Sequence, residues 1–276
     1  PARTELVRPV SSMISIVRSE LTKALTLPSV WIIMVILTAV DLLFQLQLFL
    51  FNQELIANLR GDGTSVVNSV PVVADESVFG DYVASIFNPA ILLPLLSTVT
   101  AGAEFRTGQL GMSVLAVPRR MRLLVGKIVA VAFQILILGT LWIGAAKVLL
   151  HLALHSWEAG RAWSPRFLLA DARILLFMVT AALFAYAITL IARRTLVGVI
   201  VAVVLIMVTM TQMLTLISPA VDALALFSAA RNLVLAGGDV AVPLTGSAVQ
   251  GAAVLIGWAV LACAVAVAVV TRRDAR

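Results

Sequence analysis

The chain has 276 residues, of which 61% are hydrophobic and only 12% charged, and its mean hydropathy is +1.07. Soluble domains contain roughly 45–50% apolar and about 25% charged residues, so this composition excludes a water-soluble globular protein. The formal net charge is +6, but the basic residues lie between apolar runs, which argues against a nucleic-acid-binding patch and favours contact with acidic lipid headgroups. We therefore expect an integral membrane protein whose residues 1–276 form a single transmembrane domain.

The first predicted element is a short amphipathic helix over residues 11–28, with the sequence SSMISIVRSELTKALTLP. Its apolar residues recur at helical spacing on one side: Met13, Ile14, Val17, Leu21, Ala24 and Leu25. Polar residues such as Arg18 and Lys23 lie largely opposite, a pattern typical of a helix in the inner membrane interface. Pro28 ends the helix before the chain enters the bilayer. A simple juxtamembrane anchor explains the same pattern equally well.

Six apolar runs are long enough to cross a membrane, because about 20 residues at ~1.5 Å per residue span ~30 Å of hydrocarbon. They cover residues 30–51, 82–103, 123–149, 167–191, 196–217 and 247–270. Asp41 in the first run costs about 2.5–3.5 kcal/mol, but the surrounding Leu, Ile, Val and Phe side chains contribute roughly −6 kcal/mol in total. We therefore expect an all-α fold with six transmembrane helices.

Charge alternates between the segments that connect these runs. Arginine and lysine dominate the segment before the first run, the segment after the second, the 193–194 turn and the tail. The segment after the first run is mainly acidic, with Glu54, Asp62, Asp75, Glu76 and Asp81. The positive-inside rule therefore predicts that both the N-terminus and the C-terminus are cytoplasmic.

Residues 100–130, TAGAEFRTGQLGMSVLAVPRRMRLLVGKIVA, interrupt the apolar pattern. Glu104 and Arg106 lie at the predicted membrane edge, Gly108 allows a tight turn, and Pro118 ends a short apolar segment. That segment has room for about two helical turns and is too short for a span. We expect residues 104–122 to form a cytoplasmic region that contains one short helix.

The short helix is more apolar than an ordinary solvated loop, through Leu110, Met112, Val114 and Leu115. Basic residues follow it at Arg119 and Arg120. Exposed apolar side chains between basic flanks predict a docking surface for another protein. Packing of the helix against the chain's own membrane domain is the alternative.

The string AGAEFRTGQLGMSVLAVPRRMRLLVGKIVA resembles the stretch after the second span in permeases of ABC type 2 exporters. That pattern has a Glu, a Gly, a short apolar helix, a Pro, one or two Arg, and a Gly-Lys pair that opens the third span. The segment VRSELTKALTLPSVW is similar to the family's N-terminal elbow helix, and the six-span plan agrees. The resemblance covers most of the chain, and Gln109 departs from it because many members have Thr or Ser there.

The resemblance implies that the helix at about residues 108–116 is a coupling helix that seats on an ATP-binding subunit. Glu104 and Arg106 would hold the membrane end of that joint. Two copies of the ATPase would bind ATP and Mg, and the permease would pair with a second copy or with a homologous permease. The chain itself has no P-loop, because VGKI at 125–128 lacks the upstream glycine and the Ser or Thr of that motif. We therefore expect no enzymatic activity and no cofactor bound by this chain.

Polar and methionine side chains inside the predicted spans are candidates for a substrate pathway. They are Asp41 and Gln45 in the first run, Asn88, Ser97 and Thr98 in the second, and Met207, Met210, Gln212 and Met213 in the fifth. The resemblance implies that the second and fifth spans of each half face one another across this pathway. Such a wall suits an amphipathic drug, peptide or lipid. Ordinary helix packing is the alternative for each residue.

Two further features lie in the connecting segments. His151 and His155 have the i, i+4 spacing of metal ligands, but only Glu158 is near, and we expect two interfacial histidines and no metal site. Residues 218–246 are too short for two spans. We expect a short helix or a re-entrant element there, which the resemblance implies to be an extracellular gate.

The sequence therefore predicts the multi-pass permease subunit of an ABC exporter in the cell membrane, a bacterial inner or plasma membrane. A non-transporting membrane anchor or sensor that recruits a cytoplasmic protein shares the docking helix and is the alternative. An ion-coupled secondary transporter is the third hypothesis, for which several intramembrane acids or two related halves are expected. The identity of the substrate and the choice of homodimer or heterodimer stay open.

Overall fold

The computed structural model describes residues 13–67, 70–106, 120–238 and 243–272, and these residues are mostly helical. The first half contains α1 (Met13–Thr26), α2 (Pro28–Ala57), β1 (Thr64–Val67), β2 (Val70–Val73), α3 (Ala74–Ala90) and α4 (Pro94–Arg106). The second half contains α5 (Arg120–Ala153), a 3-10 helix (Ala159–Trp163), α6 (Pro165–Ala192), α7 (Thr195–Met210), a 3-10 helix (Met213–Leu216), α8 (Pro219–Ala223), α9 (Leu226–Val234) and α10 (Ala248–Arg272).

Five helical segments of the described chain are long and apolar enough to cross a membrane. They are Pro28–Ala57, Ala74–Ala103, Met121–Ala153, Pro165–Ala192 and Ala248–Arg272. Each exceeds the ~20 residues that a bilayer requires. They correspond to the predicted runs one, two, three, four and six, and they make the fold compatible with a membrane-embedded protein.

The second of these segments is not one straight helix. It consists of α3 and α4, which are separated by a turn at residues 91–93. Pro94 opens α4, because a proline lacks the backbone N–H that would continue the hydrogen bonds of α3. The two halves of this segment therefore pack mainly against different neighbours, α3 against α2, and α4 against α6 and α7.

The fifth predicted run, residues 196–217, contains a helix shorter than expected. The helix α7 has 16 residues and ends at Met210, so it rises only ~24 Å at ~1.5 Å per residue. Gln212 has a φ of 53°, a left-handed conformation that an α-helix does not accommodate, and a 3-10 turn follows it. Residues 211–217 are largely apolar, so hydropathy alone predicted that the helix continues through this break.

A small hairpin corrects the expectation of an all-α fold. Strands β1 and β2 pair antiparallel, with Thr64 opposite Val73 and Val67 opposite Val70. The hairpin is attached to the end of α2, because the buried Ser65 hydroxyl donates to the Leu55 carbonyl at 2.9 Å. Four-residue strands rich in valine have too few residues for a clear alternating pattern, which is why the sequence analysis missed them.

Helix α6 lies at the centre of the bundle and packs against α4, α5, α7, α9 and α10. Its Phe177 ring lies 5.2 Å from the Phe87 ring of α3 and 6.0 Å from the Phe227 ring of α9. By contrast, α2 and α10 expose many large apolar side chains, such as Leu43 and Val260. A surface of this kind needs lipid or a partner subunit to cover it.

The bundle has two chemically different ends. At one end, here called the basic end, α1 packs on the beginning of α5, and the end of α4 meets the beginning of α7 beside the 193–194 turn. At the other end, here called the hairpin end, Arg161 and Arg166 bind Asp75 and Glu76 in the first turn of α3, directly after the β-hairpin, and Arg166 also binds the Gly237 carbonyl. The described basic residues Lys23, Lys127, Arg193 and Arg194 thus lie near the basic end.

Helix α9 is buried along its whole length and runs from the middle of the bundle to the hairpin end. The Leu224 carbonyl just before it accepts a hydrogen bond from Trp258 Nε1 of α10 at 2.9 Å. The Ala236 and Gly237 carbonyls after it accept from Arg173 and Arg166 at the hairpin end. Residues 218–238, where a short helix or a re-entrant element was expected, therefore enter the bundle and return.

Close packing of α9 on α10 depends on Gly251. A Cβ atom at Gly251 would lie 2.5 Å from the Ala229 carbonyl oxygen and 3.0 Å from the Leu233 nitrogen, both backbone atoms that cannot turn aside. Gly257 on the same helix has nothing within 4 Å of a Cβ atom. The two glycines therefore form a matched pair for a test of this packing by alanine substitution.

We predict that Gly251→Ala lowers the free energy of unfolding by about 1–3 kcal/mol, because overpacking displaces α9. We expect Gly257→Ala to be neutral or to raise it by up to about 1 kcal/mol, because alanine favours a helix where space is open. Thermal unfolding of the purified chain in detergent micelles measures both. Equal losses for the two variants would contradict the packing of α9 on α10.

Candidate functional site

The predicted docking region lies mainly outside the described residues. Seven of its residues fall in the range 107–119, outside the described part of the chain: Gly108, Leu110, Met112, Val114, Leu115, Pro118 and Arg119. Glu104 and Arg106 belong to the last turn of α4 and Arg120 to the first residue of α5. Both helices reach the basic end, so the region connects them there.

A buried ion-pair cluster joins α1 to the beginning of α5. Lys127 Nζ lies 2.7 Å from Glu20 Oε2, and Lys23 Nζ lies 2.6 Å from Glu20 Oε1. Glu20 and Lys127 are both buried. Gly126 permits the close approach, since a Cβ atom there would lie 2.5 Å from Ile16. Helix α1 is therefore held to the first turns of α5 by charge and by close contact.

The buried face of α1 differs from the apolar face that the sequence suggested. Ile16, Glu20 and Ala24 are buried, whereas Ile14 and Leu25 are exposed. Sequence reasoning placed the polar side outward because it could not see that Lys127 supplies a partner for Glu20. The exposed side of α1 is therefore apolar, and its buried side carries the charged Glu20.

Asp41 and Gln45 join α2 to α5 and lie away from the larger cavities. Gln45 Nε2 donates to Asp41 Oδ2 at 2.6 Å and to the Trp142 carbonyl at 3.1 Å. Trp142 Nε1 donates in turn to the Thr38 hydroxyl at 3.2 Å. Asp41 and Gln45 are completely buried on the one buried face of α2. Their visible role is a polar contact between helices.

Ser97 and Thr98 are buried in helix packing as well. The Thr98 hydroxyl donates to the Leu95 carbonyl at 2.8 Å within its own helix. Its methyl group would lie 3.1 Å from a Cβ atom at Gly198 on α7, so the two helices are in close contact at this point. Small residues at such a crossing let helices approach closely.

Asn88, Met210 and Gln212 do come together, around a cavity of about 750 Å³ at the hairpin end. The cavity lies between strand β2, helix α3, the end of α7 and the residues that follow α9. Apolar side chains form much of its wall, among them Phe79, Phe87 and Leu235. Met207 and Met213 lie outside this lining and are exposed.

Helix α3 presents a polar stripe to this cavity. Ser77, Asp81, Ala84 and Asn88 recur at intervals of four, three and four, which places them on one helical face. All four line the cavity, and the last three also line a second cavity of about 280 Å³ beside Phe44 and Phe51 of α2. The stripe therefore faces an open groove between α2 and α7.

Ion pairs enclose the larger cavity at two places. Arg166 binds Glu76 with both of its terminal nitrogens, at 2.9 Å and 2.5 Å, and packs over the Phe79 ring. Arg231 Nη2 lies 2.7 Å from Asp222 Oδ2. The Ser228 and Thr245 hydroxyls also donate to Asp222, which is completely buried. Glu76 and Arg231 thus line the cavity with their charges already balanced.

Sequence reasoning missed a second buried ion pair near the hairpin end. Lys147 Nζ lies 2.9 Å from Asp171 Oδ2 and donates to the Ala162 carbonyl at 2.6 Å. The Tyr82 hydroxyl donates to Asp171 Oδ1 at 2.6 Å. The Lys147 ammonium also lies 5.1–5.7 Å from the ring centroids of Tyr82, Trp163 and Phe167. The opposite charges of Lys147 and Asp171 inside two apolar runs were the only available signal.

His151 and His155 are exposed near the end of α5. The described part of the chain contains no group of three or more His, Cys, Asp or Glu side chains that could hold a metal ion. The charged clusters near the cavity therefore consist of carboxylates paired with arginine or lysine.

Neither a scan against known protein families nor a search of curated proteins finds a match for this chain. What can be inferred about its function therefore rests on its residues and on their geometry.

We predict that Asp171→Ala lowers the free energy of unfolding by about 3–5 kcal/mol, because it leaves the buried Lys147 ammonium without its counter-charge. Asp75→Ala is the matched control, since the Asp75 carboxylate pairs with Arg161 at 2.5 Å but its side chain is 42% exposed. The loss there should be about 1 kcal/mol or less. Unfolding in detergent micelles measures both changes, and Lys147→Met combined with Asp171→Leu should recover much of the loss. Similar losses for the two single variants would contradict this assignment.

Proposed function

We propose that this chain is the transmembrane permease subunit of an ATP-driven ABC exporter of type 2. It moves an amphipathic or lipid-like substrate, such as a drug, a peptide or a lipid-linked molecule, out of the cytoplasm. One observation carries the proposal: the end of α4 and the beginning of α5, which flank the segment that resembles a coupling region, lie at the basic end, where α1 packs on α5. A docking helix in that segment would be attached to both α4 and α5.

The proposed membrane arrangement has six spans, formed by the five long helices and by α7. Helix α7 is short, but the apolar 3-10 turn at Met213–Leu216 extends it, and a modest mismatch is tolerated at fractions of a kcal/mol per Å. The basic end faces the cytoplasm in accordance with the positive-inside rule, so both termini are cytoplasmic. The protein then lies in the cell membrane as a multi-pass subunit.

Energy comes from partner subunits in this proposal. Two ATP-binding subunits hold ATP and Mg and seat against the coupling helices of two permease chains, either two copies or one copy with a homologous permease. Movement of a coupling helix pulls on α4 and α5. Since Glu20 binds Lys127, helix α1 moves with α5. The force thus reaches three helices at the basic end.

The proposed substrate route follows α3 and α7, whose residues meet at the large cavity. In the proposed orientation this cavity belongs to the outer half of the membrane. The buried helix α9 lies beside it and acts as the extracellular gate. Because Gly251 and the neighbouring backbone hold α9 tightly, opening requires movement of α10 as well.

We predict that Leu110→Asp, Val114→Asp or Leu115→Asp abolishes assembly with the ATPase, because each puts a charge into an apolar contact. The measurement is co-purification of the tagged permease with an ATPase encoded beside it, followed by nucleotide-dependent transport. Val70→Asp is the matched control, since Val70 is an exposed apolar residue at the hairpin end, and its assembly should be unchanged.

Two results would overturn the docking role. One is normal ATPase assembly in all three aspartate variants. The other is a cysteine at position 113, introduced after Cys263 is replaced, that reacts with impermeant reagents only from outside the cell. Assembly with an ATPase that yields no transport under any nucleotide condition would favour the anchor or sensor instead.

We predict that Met210→Trp reduces export at least several-fold while assembly with the ATPase stays intact, because the larger side chain occupies the cavity between α3 and α7. Met207→Trp is the control, since Met207 is 62% exposed and lies outside the cavity lining. Efflux from cells or vesicles is compared at equal amounts of assembled complex. Equal export by the Met210 variant and the native chain would contradict a route through this cavity.

A further inference from the structure

The charges around the large cavity do not cancel. Glu76 is balanced by Arg166, and Arg231 is balanced by Asp222. Asp81 receives only a hydrogen bond from the Ser77 hydroxyl, at 3.3 Å. Among the described residues no lysine, arginine or histidine lies within ion-pair distance of Asp81. The cavity therefore carries one carboxylate without a counter-charge.

The position of Asp81 makes this charge available to a ligand. Its side chain lines both the 750 Å³ and the 280 Å³ cavities, on the stripe of α3 that also carries Ala84 and Asn88. The other sides of α3 are buried, for example at Tyr82 and Ile86. A partly desolvated carboxylate attracts a cation more strongly than one in bulk water does.

The remaining wall suits an apolar body. Phe79, Val83 and Phe87 face the cavity from α3, and Leu235 and Met210 face it from the other side. The volume lies within the ~300–1,000 Å³ of typical small-molecule sites, which combine an apolar lining with a few polar groups. Aromatic faces also attract organic cations.

From this combination we infer that the cavity binds an organic cation with an apolar body, and that Asp81 supplies the counter-charge. The inference rests on the proposed function, because it names the class of substrate that the permease would carry. A second copy of this chain is a poorer occupant, since a symmetric contact of the same face would bring two Asp81 carboxylates together. An anionic ligand would meet an excess of negative charge.

The test uses two ions of matched size and opposite charge, tetraphenylphosphonium and tetraphenylborate. Equilibrium dialysis measures the binding of each to the purified full chain in detergent micelles, with empty micelles as the blank. We expect saturable binding of tetraphenylphosphonium and markedly weaker binding of tetraphenylborate. Asp81→Asn should raise the Kd for tetraphenylphosphonium about tenfold or more.

Control variants separate the site from general charge and from misfolding. Glu54→Gln removes one exposed carboxylate that lines neither cavity and should leave the Kd unchanged. Asn88→Asp adds a carboxylate to the same stripe and should lower the Kd severalfold. Ala84→Phe places a larger side chain in the lining that both cavities share and should weaken the binding of both ions. Size-exclusion chromatography checks that each variant elutes as the native chain does.

Several outcomes would overturn the inference. They are no saturable binding of tetraphenylphosphonium, an unchanged Kd in both Asp81→Asn and Asn88→Asp, or an equal rise in Kd for Glu54→Gln. A change of oligomeric state in Asp81→Asn without any change in binding would show that the face joins two copies instead.

This experiment is independent of the ATPase. Loss of the cation site, with normal ATPase assembly, removes the substrate class and leaves the proposed function intact. Cation binding in a chain that never assembles with an ATPase removes the proposed function and leaves the binding site.

Discussion

Nearly all of the buried acidic and basic side chains among the described residues are held by opposite charges, and this requirement governs how the helices assemble; Asp41, whose partner is the Gln45 amide, is not held in this way. Three buried pairs show it: Lys147–Asp171, Glu20–Lys127 and Asp222–Arg231. An unpaired charge in such an interior costs several kcal/mol, so a shift of one helix by a turn would lose a partner and be disfavoured. Apolar surfaces alone pack in many registers, whereas these pairs are satisfied in one.

The ion pairs and the close contacts at glycines also hold particular helices together at each end of the bundle. At the basic end, Glu20 and Gly126 hold α1 to α5, and Gly102 lets α4 approach Thr195 at the beginning of α7. At the hairpin end, Gly251 holds α9 against α10. A force applied to the connection between α4 and α5 would therefore reach α7, which contacts α4 and whose end lines the large cavity. This continuity is what the proposed coupling requires.

Asp81 is the exception that gives the fold a candidate binding site. The neighbouring charges of Glu76 and Arg231 are each balanced by an opposite charge within the protein, whereas Asp81 accepts only a hydrogen bond from the Ser77 hydroxyl. A membrane protein retains such a carboxylate at a free energy cost, which a cationic ligand would offset. The same physical rule that fixes the helices elsewhere thus leaves one position open beside an aromatic cavity.

Hydropathy along the sequence was enough to predict five of the six apolar runs as helices long enough to cross a membrane, and charge alone gave the alternation of basic and acidic connections, because each of these depends on a local sum over neighbouring residues. It also placed Asn88, Met210 and Gln212 among the pathway candidates. Only the tertiary structure decided that these three share a cavity, that Asp41 and Gln45 join helices, that α7 ends at Met210, and that α9 is buried. Pairs such as Lys147 with Asp171, and cavities such as the one beside Asp81, depend on distances between residues far apart in the chain, and no local pattern encodes those distances.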